Sequence, residues 1–479
     1  MNDYKLFIQR LGLIGITNIL ISISSIILLP VLTKILSVEE YGIWVQITVT
    51  VNLIPAISTF GLSEAMLRFL SPLKDKKIIA ARVYSIIILS ILSSLIVTVL
   101  IYLFSPWISL YLFNGESDVL NYFALTIFFA CLNYILLNYF RTFNMIKLYS
   151  IFNLILTYLT IVLVAYFIFS GMGITGAVFG LLITYILIFL VMLLIVLYQN
   201  GIVRPSFIDL VEYLLFGLPT IPGNLSYWAV NSSDRYIISF ILGASFVGYY
   251  SPGYALGSLL SVMYAPLSFL LPSILPKYYD KNDNYEVKKY VSYSMKYYLL
   301  ISIPTLFGIS ILSYNILVIL TTPEIATQGY LITPIIALGF LLLGIYVITS
   351  QVLLLKKKTK IIGFLWILSS LINIFLNFIL IPYFGIAAAA TITTLCFVIP
   401  LIFCLKEASN FLVLKYQSIA KFIIASVIVS VPIYIINPKG IFEILIIVIF
   451  AAIFYLLMLL ALKVFKKKEI DFLLTLLKR

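Results

Sequence analysis

The chain alternates long apolar runs with short polar segments. Runs such as RVYSIIILSILSSLIVTVLIYLF and FEILIIVIFAAIFYLLMLLAL are apolar throughout, without the strict alternation that a barrel strand would show. Their length, about 20 residues, is that of a helix crossing a hydrocarbon core. Because backbone groups in lipid must hydrogen-bond within the segment, the pattern predicts transmembrane α-helices.

The apolar runs predict about fourteen spans, so the expected fold class is an all-α integral membrane protein. The predicted spans are 11–32, 44–66, 79–104, 119–142, 149–169, 174–197, 213–233, 247–274, 292–318, 331–355, 361–381, 385–405, 419–436 and 442–463. The first run lacks a small-residue cleavage site, which favours a retained span over a cleaved signal peptide.

The connecting segments alternate in charge along the chain. One set carries 28 of the 31 Lys and Arg, whereas the other set holds only Lys34, Arg235 and Lys439. The positive-inside rule places the basic set, and with it both termini, in the cytoplasm. The net charge of +13 is then an orientation signal and an attraction for anionic lipid, and nucleic acid is not expected as a partner.

The composition argues against several classes of functional site. The chain is 63% hydrophobic and 10% charged, whereas a soluble domain has about 45–50% apolar and about 25% charged residues. With 0 His and 3 Cys, all inside apolar runs, we expect no histidine relay, metal centre or disulfide framework. No GxxxxGK[ST] motif occurs. We therefore expect no cofactor, and energy from an H⁺ or Na⁺ gradient or from product removal.

The two halves of the chain resemble each other. Residues 15–44 overlay residues 221–250 without a gap, which pairs Asn18 with Asn224 and Gly42 with Gly248. A second match joins GMGITGA at 171–177 to YFGIAAA at 383–389, each predicting a tight turn before a span rich in small residues.

An even number of spans per half makes the repeats parallel. We predict an N-terminal lobe at 1–200, a C-terminal lobe at 201–410, and two further helices with a basic tail at 411–479. Transporters built from such repeats bind their substrate in a central cavity between the lobes and expose it alternately to each side.

Ionisable and amide groups inside a span are costly in lipid, so we expect them to face a cavity or a partner. The candidates in predicted spans 2, 4 and 7 are Glu64, Arg68, Arg141, Asn224, Asn231, Asp234 and Arg235. Glu64 and Arg68 are four residues apart and can pair on one helix face. Carboxylates are few in this set and arginines available, which suits an anionic or sugar-rich substrate.

Structural alternatives exist for each candidate. Arg68 and Arg141 lie near predicted cytoplasmic ends, where arginine commonly extends to the headgroups. Asp234 and Arg235 can form a structural pair at a helix end, and a single asparagine is often only an interhelical hydrogen bond.

The hairpin SDRYIISFILGASFVGYYSPGYAL at 233–256 resembles a known signature. It is similar to the Asp-Arg, Leu-Gly and Gly-x-Tyr pattern of Wzx-type oligosaccharide and polysaccharide flippases. These belong to the multidrug/oligosaccharidyl-lipid/polysaccharide (MOP) exporter superfamily. ILSVEEYGIW and FGLSEAMLRF resemble the matching hairpin of the first half.

The resemblance implies a MATE/MOP-like fold of two six-helix lobes plus two C-terminal helices. The implied activity is flipping of an undecaprenyl-pyrophosphate-linked oligosaccharide to the outer leaflet of a bacterial plasma (inner) membrane. Arg235, Arg68 and Arg141, with Asn224 and Asn231, would bind the head.

Further expectations follow from the same resemblance. Asp234 or Glu64 would serve as a partner or coupling group, and spans 13 and 14 would form a groove for the lipid tail. Implied partners are the lipid-linked oligosaccharide, membrane lipids, a polysaccharide polymerase and a chain-length regulator. The pathway stays open among O-antigen lipopolysaccharide, capsule, teichuronic-type polymer and peptidoglycan precursor.

Two other functions remain at this stage. An ion-coupled, MATE-like exporter of small amphipathic substrates would use the same fold. A membrane polymerase or glycosyltransferase normally carries a large outer loop or acidic motifs, but the outer segment SPWISLYLFNGESDVLN is short, with only Glu116 and Asp118. We therefore expect a transporter and not an enzyme.

Overall fold

The computed structural model describes residues 2–113, 117–412 and 416–464, and this part of the chain is helical without a β-strand. Its first ten helices are α1 (Asn2–Ile35), α2 (Val38–Ser58), α3 (Leu62–Ala65), α4 (Lys76–Leu103), α5 (Ser105–Leu112), α6 (Ser117–Thr142), α7 (Ile146–Phe167), α8 (Gly173–Asn200), α9 (Leu210–Gly217) and α10 (Ile221–Leu242). The others are α11 (Ala244–Ser258), α12 (Ser261–Tyr279), α13 (Asn284–Leu320), α14 (Pro323–Gly329), α15 (Ile332–Leu355), α16 (Thr359–Ala408), α17 (Tyr416–Ile436) and α18 (Ile441–Ala461).

Within the described ranges, 10 helical segments are long and apolar enough to cross a membrane, and an eleventh forms if the bent pair α11 and α12 is one span. Two of the ten, Ile146–Asn200 and Thr359–Phe411, have 55 and 53 residues. A straight helix of that length would measure about 80 Å, more than twice a hydrocarbon core. Each therefore corresponds to two predicted spans. α10 is outside this set because it carries the polar residues of predicted span 7.

Glycines bend both long segments at equivalent places. Gly173 has φ 56° and ψ −142°, and Gly385 has φ 61° and ψ −150°. This backbone region is open to glycine and closed to residues with a side chain. The structure confirms the two predicted tight turns, and the repeat-matched glycines share one conformation.

Contacts divide the chain into two compact units. Unit 1 comprises Met1–Ser251 and Gly363–Ile392. A cluster of buried side chains joins α3, α4, α6, α8 and α9 through residues such as Met66, Ile86 and Met192. Lipid tails are as apolar as these side chains, so close packing holds the helices together more than removal from water does.

Unit 2 comprises Pro252–Ile362 and Thr393–Arg479. Here α13 packs against α12, α15 and α17. The buried Tyr298 hydroxyl donates to the carbonyl oxygens of Phe340 (3.2 Å) and Leu341 (3.0 Å). The lobes predicted at 1–200 and 201–410, with the additional helices at 411–479, rest on sequence matches and stay a prediction beside this contact-based division.

Candidate functional site

Helices α2 and α10 of unit 1 pack along each other in opposite directions. The Gln46 side-chain amide donates to the Ser239 hydroxyl at 3.0 Å, and Thr50 shares a hydrogen bond with the Tyr236 hydroxyl. Between these two hydrogen bonds the residue number rises along α2 and falls along α10, so the two helices are antiparallel. We call the facing sides of α2 and α10 the polar seam.

At one end of the polar seam, two glycines allow backbones to touch. A methyl group built on Gly42 would lie 1.9 Å from the Ala244 carbonyl oxygen, and one on Gly248 would lie 2.3 Å from that of Val38. Gly42 and Gly248 are matched in the sequence repeat, and so are Val38 and Ala244. If each residue is replaced by its repeat equivalent, the Gly42–Ala244 contact becomes the Gly248–Val38 contact, and the reverse also holds.

The other end is closed by a second glycine pair. A methyl group on Gly61 would lie 2.2 Å from the Gly217 carbonyl oxygen. The chain turns there through Phe60 and Gly61, with φ of 52° and 70°. A π-helical turn, Met66–Leu70, follows α3. π-Helical turns are rare in proteins as a whole, and those that occur are often found at functional sites.

Asp234 and Arg235 form a buried ion pair on α10. Asp234 is 0% exposed and Arg235 is 8% exposed. An Arg235 guanidinium N–H donates to Asp234 Oδ1 at 3.0 Å and to the Asn231 carbonyl oxygen at 2.8 Å. Tyr250 donates its hydroxyl to Asp234 Oδ2, and the guanidinium lies 5.7 Å from the centre of the Tyr250 ring. Each charge is thus hydrogen-bonded, as burial in lipid demands.

The buried network continues onto the part of α16 that belongs to unit 1. Ser233 donates its hydroxyl to Asn373 Oδ1 at 3.3 Å, and the Asn377 amide donates to that same oxygen at 2.9 Å. Tyr250 was not among the candidates from sequence, and Asn373 was noted as a polar group inside a span without being assigned to the site. Asn373 and Asn377 are four residues apart in an apolar span, and that spacing was the available signal.

The other candidates lie elsewhere on unit 1. Arg68 and Arg141 are exposed and Glu64 is half-buried. Among the described residues there is no ion pair between Glu64 and Arg68. The π-helical turn begins after Ala65, so the two side chains lose the register in which α-helical residues four apart face each other.

Asn224 and Asn231 take different positions on α10. Asn231 supports the ion pair through its carbonyl, and its own amide donates to the Tyr227 carbonyl oxygen at 2.8 Å. Asn224 is exposed and borders a cavity of about 80 Å³ between α2 and α10. The cavity is lined by Asn52, Leu53, Ala56, Ile57, Ile221, Asn224, Leu225 and Trp228.

Unit 2 contains an apolar groove of about 380 Å³ between α13, α17 and α18. Its walls include Pro304, Gly308, Val429 and Ala452, and no charged side chain from the part of the chain that the structure describes lines it. A methyl group on Gly308 would meet no atom within 4 Å, so this stretch of α13 leaves open space. The groove can take a chain of methylene groups.

Comparison with known proteins identifies the family. The family model described as Polysaccharide biosynthesis protein matches residues 8–277, and the MatE model matches residues 219–379. A curated relative, the probable low-salt glycan biosynthesis flippase Agl15 of Haloferax volcanii, is 24% identical over 220 residues. That match covers 46% of this chain and 46% of the relative, so the chain spans about half the length of the relative that it matches.

Solved structures show the same fold. The lipid II flippase MurJ, in an inward closed conformation, is 19% identical with a TM-score of 0.77, covering 94% of this chain and 98% of that one. An inward-facing multidrug resistance MATE family transporter of the MOP superfamily is 15% identical with a TM-score of 0.66, covering 82% and 94%. The family resemblance of the 233–256 hairpin is confirmed, since the hairpin lies within the matched residues: the chain belongs to the polysaccharide biosynthesis protein family.

Proposed function

We propose that the protein flips a lipid-linked glycan across the membrane in which it resides. The finer proposal is an undecaprenyl-pyrophosphate-linked oligosaccharide, moved from the inner to the outer leaflet of a bacterial plasma membrane with both termini in the cytoplasm. The observation that carries the proposal is the apolar groove formed by α17 and α18 with α13. A family that handles polysaccharide needs no such groove unless the glycan travels on a lipid.

The physical difficulty of flipping lies in the head of the substrate. A pyrophosphate and its sugars would lose their hydration in hydrocarbon, at a cost of several kcal/mol for each unpaired polar group. The lipid tail has no such cost and can stay in an apolar environment throughout. Unit 2 offers a tail groove, and unit 1 offers the polar groups that a head requires.

Arg235 gives the proposal a mechanism. Its guanidinium is held by Asp234 at 3.0 Å, so an incoming pyrophosphate must compete with that carboxylate. Protonation of Asp234, or a cation beside it, would weaken the pair and release Arg235 to the phosphate. We therefore propose Asp234 as the coupling group to an H⁺ or Na⁺ gradient, with Arg68 and Arg141 as further phosphate contacts.

A second candidate is an ion-coupled exporter of small amphipathic substrates. It is favoured by the MatE match at residues 219–379. An exporter would be expected to change the susceptibility of cells to amphipathic drugs, whereas a dedicated flippase would leave it unchanged.

Deletion of the gene in its host tests the proposal directly. The flippase predicts that lipid-linked repeat units accumulate on the cytoplasmic face, measured by their resistance to a glycosidase added outside intact cells. Re-expression of the protein should restore transfer to the outer face. Normal surface glycan together with raised drug susceptibility would replace the flippase with the exporter.

A further inference from the structure

The cavity between α2 and α10 has hydrogen-bonding groups that the protein leaves unused. The Asn224 side chain makes no hydrogen bond with the described residues, and the indole N–H of Trp228 makes none either. Asn52 donates to the Thr48 carbonyl oxygen at 2.8 Å, but its own side-chain oxygen has no partner there. Three residues that line one small space thus keep donors and acceptors available.

Their position makes this costly for a purely structural site. Asn52 and Asn224 are exposed on helices that belong to predicted spans 2 and 7. An amide in a span needs water or a polar partner, because hydrocarbon supplies neither. The unused groups are therefore open to water, or to a polar ligand that displaces it.

The lining also restricts what kind of group can enter. Among the described residues, no ionisable side chain lines the cavity, and the residues around the two amides are Leu53, Ala56, Ile57, Ile221 and Leu225. An anion would be left there without a counter-charge, so the phosphate of the substrate belongs elsewhere. A neutral group with both hydrogen-bonding and methyl-like surface fits these walls.

The volume of the cavity further limits which chemical group can bind there. The cavity of about 80 Å³ holds a few water-sized groups, since one water needs about 10–15 Å³ of such space. It suits a substituent of a few heavy atoms better than a whole sugar ring. An acetamido group, with an N–H, a carbonyl oxygen and one methyl, offers the matching donors, acceptor and apolar end.

We propose that the Asn52–Asn224–Trp228 cavity binds the N-acetyl group of an amino sugar in the glycan head. This rests on the proposed function and deepens it by naming the class of sugar. Asn224 and Trp228 donate to the acetamido carbonyl oxygen, Asn52 accepts from its N–H, and the apolar walls surround its methyl. The bulk of the sugar ring stays outside the cavity.

Equilibrium binding to the full-length protein in lipid nanodiscs tests this. Two probes are compared, undecaprenyl pyrophosphate carrying N-acetylglucosamine and the same lipid carrying glucose. The acetamido group adds two or three hydrogen bonds, each worth a factor of about 2 to 10, so the N-acetyl probe should bind about tenfold or more tightly. Asn224→Leu and Asn52→Leu should each reduce that preference severalfold.

Two further variants separate binding from folding. Trp228→Phe keeps the aromatic ring and removes the N–H, so it should lower the preference without unfolding the protein. Asn153→Leu is the matched control, because the Asn153 amide makes the same bond to the carbonyl four residues earlier, at 2.7 Å, but in α7. The control should retain the full preference.

The outcomes distinguish the two proposals. Equal binding of both probes, unaffected by the cavity variants, would overturn the acetamido site and leave the flippase standing. Binding of neither probe would overturn the proposed function and the acetamido site together.

Discussion

The polar seam of unit 1 and the apolar groove of unit 2 are both formed by helices, but their polar side chains are hydrogen-bonded in different ways. In the groove, the hydroxyls of Thr305, Ser426 and Ser430 each donate to a carbonyl of their own helix, and that of Tyr455 donates to Leu300. The groove therefore presents carbon to its occupant even where its residues are polar. In the seam, side chains bond across helices or remain available.

This difference predicts which substitutions change the stability of the protein and which change only the binding of its substrate. A seam residue that bonds across helices has a partner that would be left buried and unsatisfied, so its replacement should act on folding. A groove residue has few partners, so its replacement should act on the occupant alone. The following changes test that division, beginning with the largest expected effect.

Asp234→Ala should destabilise the protein most. It leaves the Arg235 guanidinium buried without its carboxylate, and breaking a buried pair in this way costs about 3–5 kcal/mol. Thermal unfolding in detergent measures the loss. The control is Asp209→Ala, which removes an ion pair to Arg82 that is about one quarter exposed and should cost about 0–1 kcal/mol. Equal shifts for both variants would contradict the role given to burial.

Gly248→Ala should cost less but still act on folding. Its methyl would lie 2.3 Å from the Val38 carbonyl oxygen, so the helices must separate, at about 1–3 kcal/mol. Gly363→Ala in α16 adds a methyl with no atom within 4 Å and should leave the unfolding temperature unchanged or raise it slightly. A Gly248→Ala protein as stable as the Gly363→Ala one would mean that the α2–α11 contact is loose.

Ala452→Phe should leave folding intact and weaken tail binding. The larger side chain occupies groove space, and each methylene that it displaces removes about 0.8 kcal/mol, so two are enough for about a tenfold loss of affinity. Binding of undecaprenyl phosphate to the purified protein measures it. Ile449→Phe, on the same helix at a position 60% exposed and outside the groove, is the control. Equal affinity of the two variants would show that the tail lies elsewhere.

Gln46→Leu should have the smallest effect, below about 1 kcal/mol on unfolding. It removes one hydrogen bond to Ser239 but also removes a buried side-chain oxygen that has no partner among the described residues. Ser239→Ala breaks the same bond and leaves the whole amide unsatisfied, so it should cost more, about 1–3 kcal/mol. Chemical denaturation of the two variants measures their free energies of unfolding. A Gln46→Leu protein less stable than the Ser239→Ala protein would contradict this prediction.

The fold was largely predictable from the sequence because lipid imposes a simple rule. Apolar length gives the spans, and the repeat located the bends at Gly173 and Gly385 before any backbone angle was known. The pairing of Asp234 with Arg235 was an alternative left open, and the structure shows the pair formed.

The rest of the candidate site depends on helix packing, which hydropathy does not specify. Nothing in the sequence shows that Tyr250 reaches Asp234, or that Asn373 reaches Ser233. The chain leaves α-helical geometry after Ala65, so the spacing of Glu64 and Arg68 did not translate into a pair. Whether Arg68, Arg141 and Asn231 contact substrate stays a prediction.

The exchanged contacts of Gly42 with Ala244 and Gly248 with Val38 have an evolutionary consequence. A patch that meets its own equivalent is the mark of isologous pairing between identical subunits. An ancestral half-length chain with a valine and a glycine at these places would have made the same contact twice in a homodimer. Fusion of two such copies would place both contacts within one covalent chain and leave each half free to diverge around them.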